Sequence, residues 1–416
     1  MVNWDSLPDN FHQMSPVNTF NDNVFTNSFA ELPITSRNFG TEYGKILLPS
    51  NIYIAQSIEC NLWWSSIANY IDGDKSVLFK VNGFIGKTMD RCYRVDTSVI
   101  ASELITIISY DQHGFLIDSK DVTIHVVNKN AGTGTKNILM IGDSRTWQSI
   151  SDIQGSDTYT GGGDNKTITT RVKNLCGYTE GAHFDFIGTQ ISQLDANVKN
   201  EGYSGWSWQG IVSNSSIFWN PNTNALDFKY YMNNVLGLTN QKPNYATIML
   251  GINDLLLGYW DKKDKDIYTT IIKRIDDILG YSRTLINQFV SDFPDCKLLI
   301  VIESTTCEHQ SAFGEWNQMV GYPNTSGYDC ERALKEFRKR IIEDYDNGKY
   351  NSNVILSSAG VWADRTYGFP YVKEKVSKQS SVATELLFKN SIHPHDDGYN
   401  QIGDGIFSTI KYLESI

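Results

Sequence analysis

Four short stretches of this 416-residue chain carry side chains that could do chemistry, and each sits where an apolar run ends or a loop follows one. Ile141-Gly142-Asp143-Ser144 closes the first apolar run after residue 136 and leads into RTWQSISDI. A serine placed where a buried parallel strand turns into a helix presents its hydroxyl and its backbone N–H at the ligand-binding edge. Gly251-Ile252-Asn253-Asp254 ends another run; there Asn offers an uncharged N–H donor and Asp can cap the following helix. Between them, Glu201-Gly202-Tyr203-Ser204-Gly205-Trp206-Ser207-Trp208 has glycines that let a backbone N–H point into a cleft. Two tryptophans beside them are unusual for a loop that faces only water. His393 stands in NSIHPHDDGY, just before the last helical stretch. A serine hydroxyl attacks well only when a base removes its proton, and histidine, with an ordinary pKa near 6.5, suits that task around neutral pH. The resulting tetrahedral intermediate carries negative charge, and each donor fixed on it contributes about 3–4 kcal/mol.

Taken singly, these signals are weak. G-D-S occurs by residue usage in about one chain in ten of this length, and a helix cap or a tight turn explains it equally well. Ser, Gly, Asn and His in that order across four strand-end loops is far rarer, below about one chain in a hundred. The elements that must position them are legible as well. Short apolar strands are predicted at 137–142, 184–188, 246–251, 297–303 and 353–358. They alternate with amphipathic stretches, clearest where Ile267, Ile271, Ile275, Ile278 and Leu279 recur at helical steps. That rhythm predicts a parallel sheet with helices on both faces and ligands at the carboxyl ends of its strands.

Ahead of it, residues 41–130 read as short strands separated by turns such as DGDK and DQHG, the pattern of a small antiparallel β-sandwich. KNAGTGTK at 129–136 reads as a linker with few contacts across it. Residues 1–40, rich in Asn, Ser, Thr and Phe, read as an extended arm or as a segment that orders against a partner. DKKDKD (261–266) reads as a solvated helix start and GGGDNKT (161–167) as a flexible turn.

Composition narrows the partners. With 40% apolar, 12% aromatic and 20% charged residues the chain is an ordinary folded protein. A net charge of −11 is the wrong sign for one that neutralises many phosphates, so nucleic acid is not an expected partner. The six cysteines form no C-x-x-C pair and no cluster at metal spacing, which predicts reduced, buried thiols and no metal site. His12, His113, His125, His183 and His309 lack partners at diagnostic spacing and read as structural. No run of eighteen apolar residues occurs, and MVNWDSLPDN lacks a basic and an apolar signal region. No membrane span and no signal peptide are therefore expected, leaving a cytoplasmic or virion setting.

With the four blocks in place, residues 136–416 resemble the SGNH or GDSL hydrolases, serine esterases and lipases of flavodoxin-like fold. The resemblance implies a three-layer α/β domain with a parallel sheet. It implies Ser144 as nucleophile, His393 as general base, and an oxyanion hole built from the Ser144 N–H, the Gly205 N–H and the Asn253 amide, with no cofactor. One position departs from the family: where Asp usually stands three residues before the histidine, this chain has Asn390. Asn can hold an imidazole by a hydrogen bond but cannot offset the charge of an imidazolium, and in the serine-protease template that exchange costs about 10⁴ in turnover. A Ser-His dyad, an acid supplied from elsewhere and a weakened site all remain open. Asp396 and Asp397 are expected to cap the final helix.

The activity this implies is hydrolysis of small acyl esters, foremost O-acetyl groups on a carbohydrate or cell-surface polysaccharide. Trp206, Trp208 and Asp254 are expected on the substrate side, with Trp219 and Trp260 nearby. Lipid esters come second, because no continuous apolar lid is visible. Similar chains with a leading β-rich module occur among bacterial carbohydrate esterases and phage tail proteins. The alternative is a catalytically weak or inactive glycan-binding or structural tail module; under either reading, other virion or tail proteins are candidate partners of the N-terminal arm.

Overall fold

The structure, a computed structural model, describes residues 44–69, 77–147, 167–177, 179–192, 195–256, 267–319, 327–379 and 382–416. The expected arm at 1–40, the turn at 161–166, DKKDKD and Trp260 lie outside these residues. Gly44–Ile416 forms one compact unit.

Beside a two-stranded pair, Lys45–Ile46 with Ala68–Asn69, the first part holds β1 (Asn51–Ala55), β2 (Asn61–Trp63), β3 (Leu78–Asn82), β4 (Gly86–Thr88), β5 (Cys92–Val95), β6 (Ala101–Tyr110) and β7 (Leu116–Val127). These seven numbered strands make a four-stranded sheet ordered β1-β7-β6-β3 and a three-stranded sheet ordered β2-β5-β4. Antiparallel pairing dominates as expected, but β1 runs parallel to β7, pairing Ile52 with Ile124 and Ile54 with Val126. In β6 and β7 burial alternates, with Ile105, Ile107, Val122, Ile124 and Val126 turned inward.

The α/β part follows with β8 (Thr135–Gly142), β9 (His183–Ile187), β10 (Lys199–Gly202), β11 (Tyr245–Met249), β12 (Lys297–Val301) and β13 (Val354–Ser357). Their pairings are all parallel. β9 lies beside the first half of β8 and β10 beside its last two residues, while β11, β12 and β13 continue on the other side. This is the doubly wound order with its switch point at β8, and a pair of antiparallel residues, Gln190–Ile191, extends the β10 edge. β11 is buried at every position, as a strand covered on both faces must be.

α1 (Ser144–Trp147), α2 (Ile168–Gly177), α3 (Ile267–Asp292), α4 (Gly327–Tyr345) and α5 (Asp396–Leu413) complete the layers. α3 meets α4 through Ser282 Oγ and the Tyr345 hydroxyl at 2.9 Å. α5 is buried almost all round, because it meets something on every side. Arg171 of α2 pairs with Asp404 at 2.6 Å, Thr409 Oγ1 lies 2.9 Å from Ser357 Oγ of β13, and Tyr412 stacks on Tyr53 of β1 at 4.0 Å. Its N-cap corrects the expectation for Asp396 and Asp397. The His395 ring accepts the Asp397 N–H at 3.0 Å, and both acids stand in the first turn instead, where the helix dipole favours them.

Residues 129–136 do not form a loose linker. Ala131 is buried, and buried Lys411 of α5 donates to the Ala131 and Ala182 carbonyls at 3.0 and 3.2 Å. A lysine with no access to water must find such acceptors, and here they fasten the segment to α5. All six cysteines are buried, and none is in a disulfide among the described residues. Among the described residues, no helix is long and apolar enough to cross a membrane.

Candidate active site

The parallel sheet delivers three of the blocks to one edge. Ser144 opens α1 directly after β8, and Tyr203 follows β10 on the neighbouring strand, its N–H bonded to the Gly142 carbonyl at 3.1 Å. α1 packs so closely on the end of β10 that a Cβ on Gly202 would lie 2.3 Å from the Trp147 nitrogen, so only glycine fits there. Gly205 has φ +79° and open space where a side chain would stand, a left-handed conformation that glycine adopts without strain.

Asn253, at the start of the short helix Ile252–Leu256 after β11, ties these loops together. Its amide nitrogen donates to the Trp206 carbonyl at 2.8 Å and lies 3.5 Å from Asp143 Oδ2. One side chain thus touches the residue after Gly205 and the residue before Ser144.

The fourth block arrives from the far end of the chain. His393 Nε2 is 2.8 Å from Ser144 Oγ, and both residues are almost covered, at 7% and 6% exposure. Burial first, and the Arg145 guanidinium second, push the imidazole pKa down to about 3, so the ring is neutral at physiological pH. A neutral ring is the form that can accept a proton.

Asn390 lies beside His393 as expected, but its oxygen is not turned to the ring. Asn390 Oδ1 accepts the backbone N–H groups of Ile392 at 3.0 Å and His393 at 2.9 Å. Two N–H donors on one atom identify it as the oxygen, which leaves Nδ2 facing His393 Nδ1 at 3.4 Å. Asn390 therefore folds the loop like a turn-forming Asx residue while offering the imidazole a donor.

Two expected substrate-side residues are in the core. Trp208 is 1% exposed, with its ring N–H on the Leu250 carbonyl at 2.9 Å and its backbone N–H on Asp254 Oδ2 at 2.8 Å. Asp254 also takes the Gln209 N–H and pairs with Arg274 at 3.7 Å. Burial raises its pKa to about 6, and its work is to tie the loop after β10 to the loop after β11. Trp206 is half-buried, stacked on Tyr203 at 4.1 Å and edge-on to Phe218 at 6.1 Å. Trp219 is half-buried and packs against the core.

Two residues that sequence reasoning missed underlie the site. Arg145, fully buried, pairs with buried Glu303 at 2.5 Å and donates to Ser304 Oγ at 2.6 Å and to the Ile392 carbonyl at 3.1 Å. Glu303 Oε2 accepts the Ile252 N–H at 3.4 Å. The pair thereby joins the serine, asparagine and histidine blocks. Burial and then Glu303 raise the neighbouring Asp143 to about 7. The available signal was a charge next to the serine and a second charge ending the apolar run KLLIVIE.

Among the described residues, no three His, Cys, Asp or Glu side chains group as metal ligands. No curated protein matches the chain. Among solved structures it is similar to a family 3 carbohydrate esterase from Talaromyces cellulolyticus, at 16% identity over 67% of this chain and 98% of that one, with a TM-score of 0.37. A Clostridium thermocellum family 3 carbohydrate esterase matches at 18% identity over 67% and 97%, with a TM-score of 0.35. An acetylxylan esterase from Geobacillus stearothermophilus matches at 15% over 68% and 96%, with a TM-score of 0.33. A family model described as GDSL-like Lipase/Acylhydrolase matches residues 138–406, and the chain belongs to that family.

Proposed function

We propose that this protein hydrolyses small acyl esters, foremost O-acetyl groups on a carbohydrate, by a serine mechanism. The observation that carries the proposal is the 2.8 Å contact between Ser144 Oγ and His393 Nε2 at the carboxyl edge of the parallel sheet. Ser144 Oγ attacks the ester carbonyl while His393 takes its proton. The oxyanion is held by the Ser144 N–H, the Gly205 N–H and the Asn253 amide. His393 returns the proton to the departing alcohol, leaving an acyl group on Ser144. Water then attacks that group with His393 again as base, and the carboxylic acid and the free serine are released. The Tyr203–Trp206 stack offers an aromatic surface beside Gly205 on which a sugar ring can rest.

Turnover of p-nitrophenyl acetate, abolished in Ser144→Ala, tests the reaction; acetate released from a panel of acetylated polysaccharides tests the substrate. A second reading, a glycan-binding module with an idle site, is favoured by the Asn390 amide that faces His393 Nδ1. Binding of those polysaccharides without acetate release would select it.

A further inference from the structure

The β-rich region grips one segment of the α/β region, residues 362–366, at every residue. Trp63 Nε1 donates to the Trp362 carbonyl at 2.8 Å, and Ser66 Oγ to the Ala363 carbonyl at 3.1 Å. Arg91 reaches both oxygens of Asp364, at 2.5 and 3.2 Å. Arg365 donates back to the Ser65 carbonyl at 3.1 Å, and Arg91 also bonds Thr366 Oγ1. The Arg91 guanidinium is flanked by the Trp63 ring of its own region, 5.1 Å away, and by the Tyr367 ring, 5.0 Å away. Planar bidentate pairing between aromatic faces is what arginine does and lysine cannot copy.

The opposite side of this segment holds the histidine loop. The Gly368 N–H closes on the Asp364 carbonyl at 2.9 Å, and the Gly368 carbonyl accepts the His395 N–H at 2.9 Å. The Arg365 carbonyl accepts the Glu308 N–H at 3.2 Å, and the adjoining Cys307 N–H donates to the Ser391 carbonyl at 2.9 Å. Asp364 N–H donates to Gln401 Oε1 of α5 at 2.8 Å. Residues 391 and 395, which flank His393, are thus fixed to the two segments that Arg91 and its neighbours hold.

We propose that Arg91 is a positioning residue for His393: from the β-rich region it clamps residues 364–366, which seat the loop that sets the imidazole against Ser144. This rests on the esterase reading. It makes the β-rich region part of the catalytic scaffold, because reacting groups displaced by even about 1 Å lose rate steeply.

The test uses the full-length chain with Arg91→Ala, Arg91→Lys and Asp364→Asn. For p-nitrophenyl acetate, Arg91→Ala is expected to lower kcat about tenfold with KM changed less than about twofold, Arg91→Lys to recover only part of that loss, and Asp364→Asn to fall beside Arg91→Ala. Hydrogen exchange in the peptide spanning 391–396 should quicken in Arg91→Ala. Unchanged exchange overturns the clamp, whatever the activity. Faster exchange with kcat within twofold of wild type overturns the positioning role. A wild type that hydrolyses no ester overturns the esterase reading, and the exchange result then still decides whether the clamp exists. Should Arg91→Ala fail to fold, Asp364→Asn carries both readouts.

Discussion

The serine loop and the histidine loop meet across 2.8 Å, yet they are built from different materials. Around Ser144 the protein has buried ionisable groups: the Arg145–Glu303 ion pair and Asp143, each almost wholly covered. Around His393 the loop is tied by an uncharged amide and by backbone groups, Asn390 Oδ1 on two N–H groups and the Gly368 carbonyl on His395, and also by the Arg145 guanidinium on the Ile392 carbonyl. Buried ion pairs are costly to assemble and more costly to break, so they fix geometry at the expense of tolerance. None of these bonds sets negative charge beside the imidazole, and Arg145 adds positive charge. The charged side thus sets where the serine stands, while burial and then Arg145 leave the histidine weakly basic.

The sharpest break is at the serine. Ser144→Ala removes one hydroxyl and is expected to lower turnover by about 10⁴ or more while the melting temperature stays near wild type. An organophosphate should label the wild type at Ser144 and leave the variant unmodified. Full activity in the alanine variant would end the serine assignment.

Next comes the charge that the histidine side lacks. In Asn390→Asp, one carboxylate oxygen can keep the two backbone N–H groups, and the other takes the place of Nδ2, 3.4 Å from His393 Nδ1. An acceptor then stands where a donor stood, which favours the tautomer with its free lone pair on Nε2 and stabilises the imidazolium. A rise in kcat of about 10² to 10³ is expected, bounded by the 10⁴ seen in the serine-protease template. A variant no faster than wild type would mean that some other group orients the ring.

Asn253→Ala removes the amide that bridges the Trp206 carbonyl and Asp143. Turnover should fall about 10² to 10³-fold with little change in KM, since an oxyanion donor acts mainly on the transition state. A rise in KM at constant kcat would reassign Asn253 to substrate binding. On the structural side, Glu303→Gln leaves buried Arg145 without its counter-charge and is expected to cost about 3–5 kcal/mol of stability, read by denaturant unfolding. A loss under about 1 kcal/mol would show that Ser304 and the Ile392 carbonyl suffice for Arg145.

What the sequence disclosed follows the same division. Strands β8, β11, β12 and β13 were legible because each contains a short, mostly buried apolar run, and β9 by its alternating Phe184 and Phe186; the blocks at the strand ends inherit the sheet's order. The Arg145–Glu303 pair was not, because 158 residues separate its members and no local spacing announces an ion pair across strands. Trp208 and Asp254 misled for a related reason: a tryptophan in a loop looks exposed until a neighbouring loop covers it. The linker misled through composition, since Gly132 and Gly134 look flexible while distant Lys411 fastens the segment. His395 as a helix cap is unusual chemistry at a place where Asp396 and Asp397 are the common choice.

The smallest effect tests the electrostatic half of the comparison. Burial and Arg145 hold the His393 pKa at about 3, below its ordinary 6.5, so the neutral base persists well into acid. The acid limb of kcat/KM should therefore lie clearly below pH 6.5. In Asn390→Asp the carboxylate favours the imidazolium, so the limb should move to higher pH. Stability follows the same sign. Below pH 6.5 the unfolded chain takes up a proton at this residue that the folded chain refuses until about pH 3, so the contribution of His393 is complete above 6.5 and is lost as pH falls through that window. A wild-type limb at or above pH 6.5 would mean that negative charge already reaches the ring, and the contrast between a serine side that holds carboxylates and a histidine side tied by an amide and backbone groups would fail.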